Sequence, residues 1–421
     1  MDHFVCKGQL FFSTGPGHCQ CIPHGFLVCT DGICQGAFPV LPDAYRDLPL
    51  LDFGDQLILP GLVDLHLHGP QFAYRGLGMD LELLDWLHTH TFPEEAKFQD
   101  LAYAEPAYRQ FTHALKHSFT TRAAIFATAH TEATLLLMDL LDESGLITYV
   151  GRVNMDRDCP EPLRESGPKA ALEETRRWLE AAQGRYHRTR PILTPRFVPT
   201  CSAPLLEGLG QLAREMKLPV QSHLSENPKE IALVQARFPD ASCYAQVYDR
   251  FGLLSTRCIM AHCVHSGPEE LALLKERGVF IAHSPESNTN LASGVAPTRR
   301  FLEQGLSVGL ASDVAGGSSL NLFRAMAHAV QASKLRWRLL DQETPPLTFP
   351  QAFWLATLGG GRFFGPVGTF AKGYAFDALV LDDRLFPTVL PLPIEQRVER
   401  LAYLAEERCL TAKFVSGRRI L

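Results

Sequence analysis

His66 and His68 stand one residue apart in LPGLVDLHLHGPQ, residues 59–71, at the end of an apolar run. Side chains at i and i+2 of a strand point to one face, so the two imidazoles share a side. A metal site and a hydrogen-bonded surface pair explain that spacing equally well, and the rest of the chain must decide. Further along, Arg196, His223, Glu226, His262 and Asp313 each fall at the end of a strand-like run. A lone histidine in such a place is more often structural than functional. Gathered at one rim, these side chains are acid–base groups and a nitrogen and oxygen donor set for a divalent metal, zinc being the default. Such an ion makes its bound water a nucleophile near neutral pH. The run PILTPRFVPT holds no lysine to bridge two metals, which favours one ion, with His262 hydrogen-bonding the water.

The elements that must position these groups follow a rhythm. Strand candidates are Leu57–His68, Thr120–His130, Thr148–Asp156, Pro191–Thr200, Leu218–Glu226, Cys258–His265, Val279–Ser287 and Ser307–Asp313. Amphipathic stretches such as PKAALEETRRWLEAAQ and PEELALLKERG lie between them. Eight strands alternating with helices predict an α/β chain closed as a (β/α)8 TIM-like barrel over 58–366, with its site at the carboxyl ends of the strands. The flanks, 1–57 and 367–421, carry short strand-like runs (GQLFF, GFLVC, DALVLDD, KFVSGRRI) between Gly and Pro turns. They are expected to meet as one small composite β-sandwich domain.

Composition narrows the class. The 421 residues are 46% hydrophobic and 20% charged, with a net charge of −6, an ordinary globular balance with nothing basic enough for a nucleic-acid partner. No basic, apolar leader opens the sequence, and no run is long enough to span a membrane. Eleven cysteines lack paired zinc spacing, which reads as free thiols in a reducing, cytoplasmic compartment.

These motifs resemble the amidohydrolase superfamily: PGLVDLHLH, a histidine on strand five, another on strand six, and a strand-eight aspartate in GLASDVAGG. Within it the chain is similar to the guanine deaminase family, on LLDWLHTHTFPEEAKF, TPRFVPTCS, QSHLSENPKEI, MAHCVH, IAHSPESN, SDVAGG and LATLGG. The resemblance implies one zinc ion held by His66, His68, His223 and Asp313. It implies purine contacts at Gln71, Arg196 and Phe197, with His223, Glu226 and Asp313 also facing substrate, and a homodimer. Two departures stand out: Phe119 replaces the usual glycine before a threonine pair, and Glu286 replaces a small or amide residue.

On that resemblance the reaction is hydrolysis of guanine at C2, giving xanthine and ammonia. Glu226, three residues past His223, would donate a proton to N3. Asp313 would take the water's proton and pass it to the departing amine, while His262 orients the nucleophile. Arg196 would fork onto O6 and N7, Phe197 stack on or edge the ring, and Gln71 read N1, N3 or the amine. The loop Asp80–Phe98 would either cover the base or simply pack. Two other readings remain: a deaminase or hydrolase of a related heterocycle, and a non-catalytic scaffold of the same fold. The base-flipping nucleic-acid deaminases are excluded, because the chain has no P-C-x-x-C.

Overall fold

The computed structural model describes residues 3–421. Two arcs of four parallel strands make the barrel. The first holds Leu62–His68, Thr120–Phe126, Ile147–Gly151 and Thr189–Pro191; the second holds Val220–Leu224, Cys258–His262, Phe280–His283 and Ser307–Leu310. The arcs join at one side where Leu193 pairs with Val220. At the other, the Asp313 amide donates to the His66 carbonyl and the His68 amide to the Val314 carbonyl, both at 2.9 Å. The expected barrel is therefore closed. Strands Leu62–His68 and Thr120–Phe126 are buried along their whole length, as parallel strands covered on both faces must be.

Two features of the strand reading are corrected. The run Leu57–His68 is two strands, Leu50–Pro60 in the small sheet and Leu62–His68 in the barrel. The break falls at Gly61, where a Cβ would lie 2.2 Å from Thr121 Oγ1, so the chain passes there only as glycine. The small sheet accordingly extends to Pro60, past residue 57. The other barrel strands stop short of their apolar runs, leaving His130, Asp156, Thr200, Glu226, His265, Ser287 and Asp313 in the segments that follow. Ser225, His262, Cys263 and Asp313 have φ of 47°, 74°, 51° and 47°, a left-handed backbone that cannot continue a strand.

The outer helices form for the expected reason. In Pro168–Ala182, buried Ala171, Thr175, Trp178, Leu179 and Ala182 recur on one face, with proline in the first turn. The terminal segments build one continuous seven-stranded sheet, three of its strands coming from the C-terminal segment. Phe4 stacks on Phe414 with ring centroids 5.4 Å apart, although their strands are three places apart in the sheet order. Three spacings in a flat sheet would be about 14 Å, so the sheet curls around its own phenylalanines. The C-terminal segment also contributes a helix, Ile394–Leu404, that its strand-like runs did not announce. Arg122, on the second barrel strand, is tied to Asp377 by Nε at 2.6 Å and to Ser416 by Nη2 at 3.1 Å, a buried ion pair linking sheet to barrel.

Candidate active site

The first barrel strand carries Asp64, His66 and His68 on one face. Asp64 lies deepest and accepts from the His66 amide and from the amide and hydroxyl of Ser312. That contact fixes the first strand against the segment leading to Asp313. Burial pushes the Asp64 carboxyl up to about 7, with the Ser312 and His66 donors opposing.

His66 Nε2 and His68 Nε2 stand 3.3 Å apart, and His68 Nε2 is 3.4 Å from His223 Nε2. Asp313 Oδ1 lies 3.2 Å from His66 Nε2 and 3.5 Å from His68 Nε2. Two nitrogens held at about 2.05 Å by a tetrahedral ion stand roughly 3.3 Å apart, so these separations fit a single metal centre. The orientation of His223 fits as well. Its Nδ1–H donates to the Arg196 carbonyl at 2.7 Å, which leaves the Nε2 lone pair free to ligate. Burial, followed by neighbouring positive groups, holds His66, His68 and His223 well below the ordinary histidine pKa. The imidazoles are therefore neutral donors. His66, His262 and Asp313 form a second set within ligating reach, sharing His66 with the set of His66, His68 and His223.

On the substrate side, His262 Nε2 faces Glu226 Oε2 at 3.4 Å and Asp313 Oδ2 at 3.7 Å. Its Nδ1 donates to Asn288 Oδ1 at 2.9 Å. Glu226 precedes the helix Pro228–Arg237, whose capping box of Asn227 and Glu230 fixes the approach. The Glu226 amide donates to Glu230 Oε2, and Ser293 Oγ donates to Glu226 Oε1 at 3.0 Å. Burial, then the charge of Asp313, pushes the Glu226 carboxyl up to about 8, opposed by the Ser293 bond. Burial likewise raises Asp313, opposed by His262 and Ser287. After Asp313 the chain turns tightly through SDVAGG; a Cβ at Gly317 would lie 1.9 Å from the Ser312 carbonyl oxygen.

One cavity gathers His68, His223, Glu226, His262 and Asp313 with Gln71, Arg196 and Phe197. His66 sits behind it, fully buried. Leu83, Trp86 and Leu87 close the cavity. They belong to the segment Asp80–Phe98, which is a run of short helical turns rather than an open loop. Phe92 packs inside it with its ring 5.2 Å from the Arg196 guanidinium, so the segment both covers the cavity and packs. Phe197 is buried, edge-on to His223.

Two features of the polar wall add to the sequence reading. Arg196 is in a buried ion pair: Nη1 donates to Glu95 Oε2 at 2.6 Å. Gln71 is not free to present either end, since Oε1 accepts from the Ala315 amide at 3.2 Å and Nε2 donates to Glu95 Oε1 at 2.8 Å. Glu95 itself escaped sequence reasoning. Its signal was indirect: an arginine in an apolar strand end needs a buried carboxylate, and TFPEE supplies one. Asn288 and Ser293 were also unforeseen, because neither carries a motif of its own. Of the departures, Phe119 packs edge-on against Phe323 in the core, while Glu286 accepts from Ser318 Oγ and faces His328.

The model of the amidohydrolase family matches residues 57–420. A guanine deaminase of Dictyostelium discoideum is 35% identical, covering 98% of this chain and 97% of its own. Human guanine deaminase is 35% identical over 87% of this chain and 83% of its own. The crystal structure of guanine deaminase from C. acetobutylicum with bound guanine superposes with a TM-score of 0.96 at 41% identity, each chain covered completely.

Proposed function

The chain belongs to the amidohydrolase family, and from that premise we propose that it hydrolyses guanine to xanthine and ammonia. The observation that carries the reading is the cavity in which a histidine–aspartate metal set, a buried glutamate and an arginine–glutamine wall meet. The solved relative that binds guanine supports it across the whole chain.

His66, His68, His223 and Asp313 would hold one zinc ion. When bound, such an ion supplies Lewis acidity that turns water into a nucleophile near neutral pH. The remaining work belongs to side chains. Water adds at C2 while Glu226, which keeps its proton at neutral pH, gives it to N3. Asp313 takes a proton from the attacking water and passes it to the leaving amine; as ammonia departs, the C2 hydroxyl returns its proton to Glu226 and becomes the carbonyl, and the ring regains its planarity as xanthine. The unprotonated His262 Nε2 orients the water between Glu226 and Asp313. Arg196 offers its remaining N–H groups to O6 and N7, Gln71 adds a further N–H, and Phe197 closes the slot beside the ring.

A homodimer in the cytoplasm completes the proposal. No disulfide forms among the described residues, which supports a reducing compartment. Exposed Leu335, Leu339 and Leu340 at one helix end offer an apolar surface for a second copy. Incubation of the purified protein with guanine, followed by detection of xanthine and ammonia, tests the activity. A panel including adenine and triazines tests its selectivity, metal analysis counts the zinc, and sedimentation reads the assembly. Absence of xanthine at full metal occupancy would overturn the reading.

A further inference from the structure

Glu95 is 1% exposed and lies behind the cavity wall rather than among its lining residues. Both of its oxygens are engaged, one by the Arg196 guanidinium at 2.6 Å and the other by the Gln71 amide nitrogen at 2.8 Å. A carboxylate that accepts at each oxygen cannot donate, so the Gln71 group facing it must be the NH2. The Ala315 amide can only donate, so the Gln71 group facing it must be the oxygen. Two independent partners force the same orientation. Gln71 therefore has one N–H left to offer a ligand, while its oxygen is turned to and held by the Ala315 amide.

Arg196 has donors and no acceptors at all. Its plane is held between the Glu95 contact and the Phe92 ring. Wherever these two side chains meet a ligand, they meet it as donors. Resting on the guanine reading, we propose that Glu95 is the positioning residue that makes this wall donor-only, and so selects 6-oxopurines over 6-aminopurines. A 6-oxo group and N7 present adjacent acceptors to such a wall. A 6-amino group would set its own N–H against donors that have no freedom to turn. Buried polar groups left mispaired in this way reject a ligand strongly.

The role requires a carboxylate, not merely a polar side chain. An amide at position 95 has one oxygen and one NH2, so it cannot accept at both of the positions where the carboxylate oxygens meet Arg196 and Gln71. If its oxygen keeps Arg196, its NH2 confronts the Gln71 NH2, and Gln71 can turn only by opposing the Ala315 amide. Either choice breaks the uniform polarity of the wall.

The test compares guanine with 2,6-diaminopurine, which carries the same reacting C2 amine and differs at C6. The holoenzyme, Glu95→Gln and Gln71→Leu are assayed by ammonia release, with zinc content and circular dichroism recorded for each. The parent should favour guanine in kcat/KM, and Glu95→Gln should cut that preference at least tenfold, mainly through a raised KM for guanine. Gln71→Leu keeps the Arg196–Glu95 pair, so it reads the same preference should Glu95→Gln fail to fold, and it too should lose at least tenfold. In the double variant the two losses should be less than additive, because both act through one amide. Equal losses of kcat on both purines, with the preference intact, would show a merely structural Glu95 and overturn the proposal. A parent that releases ammonia from neither purine would instead overturn the guanine reading itself.

Discussion

Glu226→Gln separates proton transfer from everything else in the site. The carboxylate makes two side-chain contacts, accepting from Ser293 Oγ at 3.0 Å and facing His262 Nε2 at 3.4 Å. Glutamine reproduces both. Its oxygen can accept from Ser293, and its N–H can meet His262 Nε2, which is unprotonated because burial keeps the ring neutral and its one proton sits on Nδ1, donated to Asn288. None of the closest contacts among His66, His68, His223 and Asp313 involves Glu226, so metal content should equal that of the parent. What disappears is a proton carried at neutral pH by a group raised to about 8. General acid–base catalysis contributes about 10²–10⁴-fold, equivalent to roughly 3–5 kcal/mol of barrier. The loss should fall in kcat, with KM for guanine little changed, since Arg196, Gln71 and Phe197 are untouched. Steady-state xanthine formation, with metal content measured on the same preparation, reads the result. Activity within a few-fold of the parent at full metal occupancy would place the proton on another residue and refute the reasoning.

His223→Ala should lose tightly bound zinc and activity together, because it deletes a ligand whose second nitrogen is already oriented by the Arg196 carbonyl; a full equivalent of metal by elemental analysis would exclude it from the centre. Arg196→Lys should retain zinc but lose roughly ten- to a hundred-fold in kcat/KM for guanine, the worth of about 1.5–3 kcal/mol for charge-assisted hydrogen bonds that a point charge cannot copy. An unchanged KM and kcat would remove Arg196 from the pocket. Asp377→Ala leaves the Arg122 guanidinium buried without its partner, which should cost about 3–5 kcal/mol, seen as a lower midpoint in denaturant; an unchanged midpoint would mean the sheet is held to the barrel by its apolar contacts alone.

The alternation of apolar runs with amphipathic stretches contained the barrel, because strand and helix periodicities are local properties that survive without tertiary context. That His66, His68, His223, Glu226, His262 and Asp313 would meet at one rim was equally legible, since each lies at or just past the end of a strand-like run and is of a type that metal or acid–base chemistry uses. Strand ends were not legible in detail. The strand-like runs continue through the rim into residues such as Ser225, Cys263 and Asp313, whose left-handed backbone ends the strand without any signal in composition. The split at Gly61 turns on a 2.2 Å approach to Thr121, a side chain distant in sequence. Glu95 shows the same limit at the site. Its two partners, Gln71 and Arg196, lie 24 and 101 residues away, and only closure of the barrel brings them onto one carboxylate. Sequence determines which groups exist and which face they take along their own element; the polarity each presents to a ligand depends on the partners that hold its other end, and those are chosen by the fold.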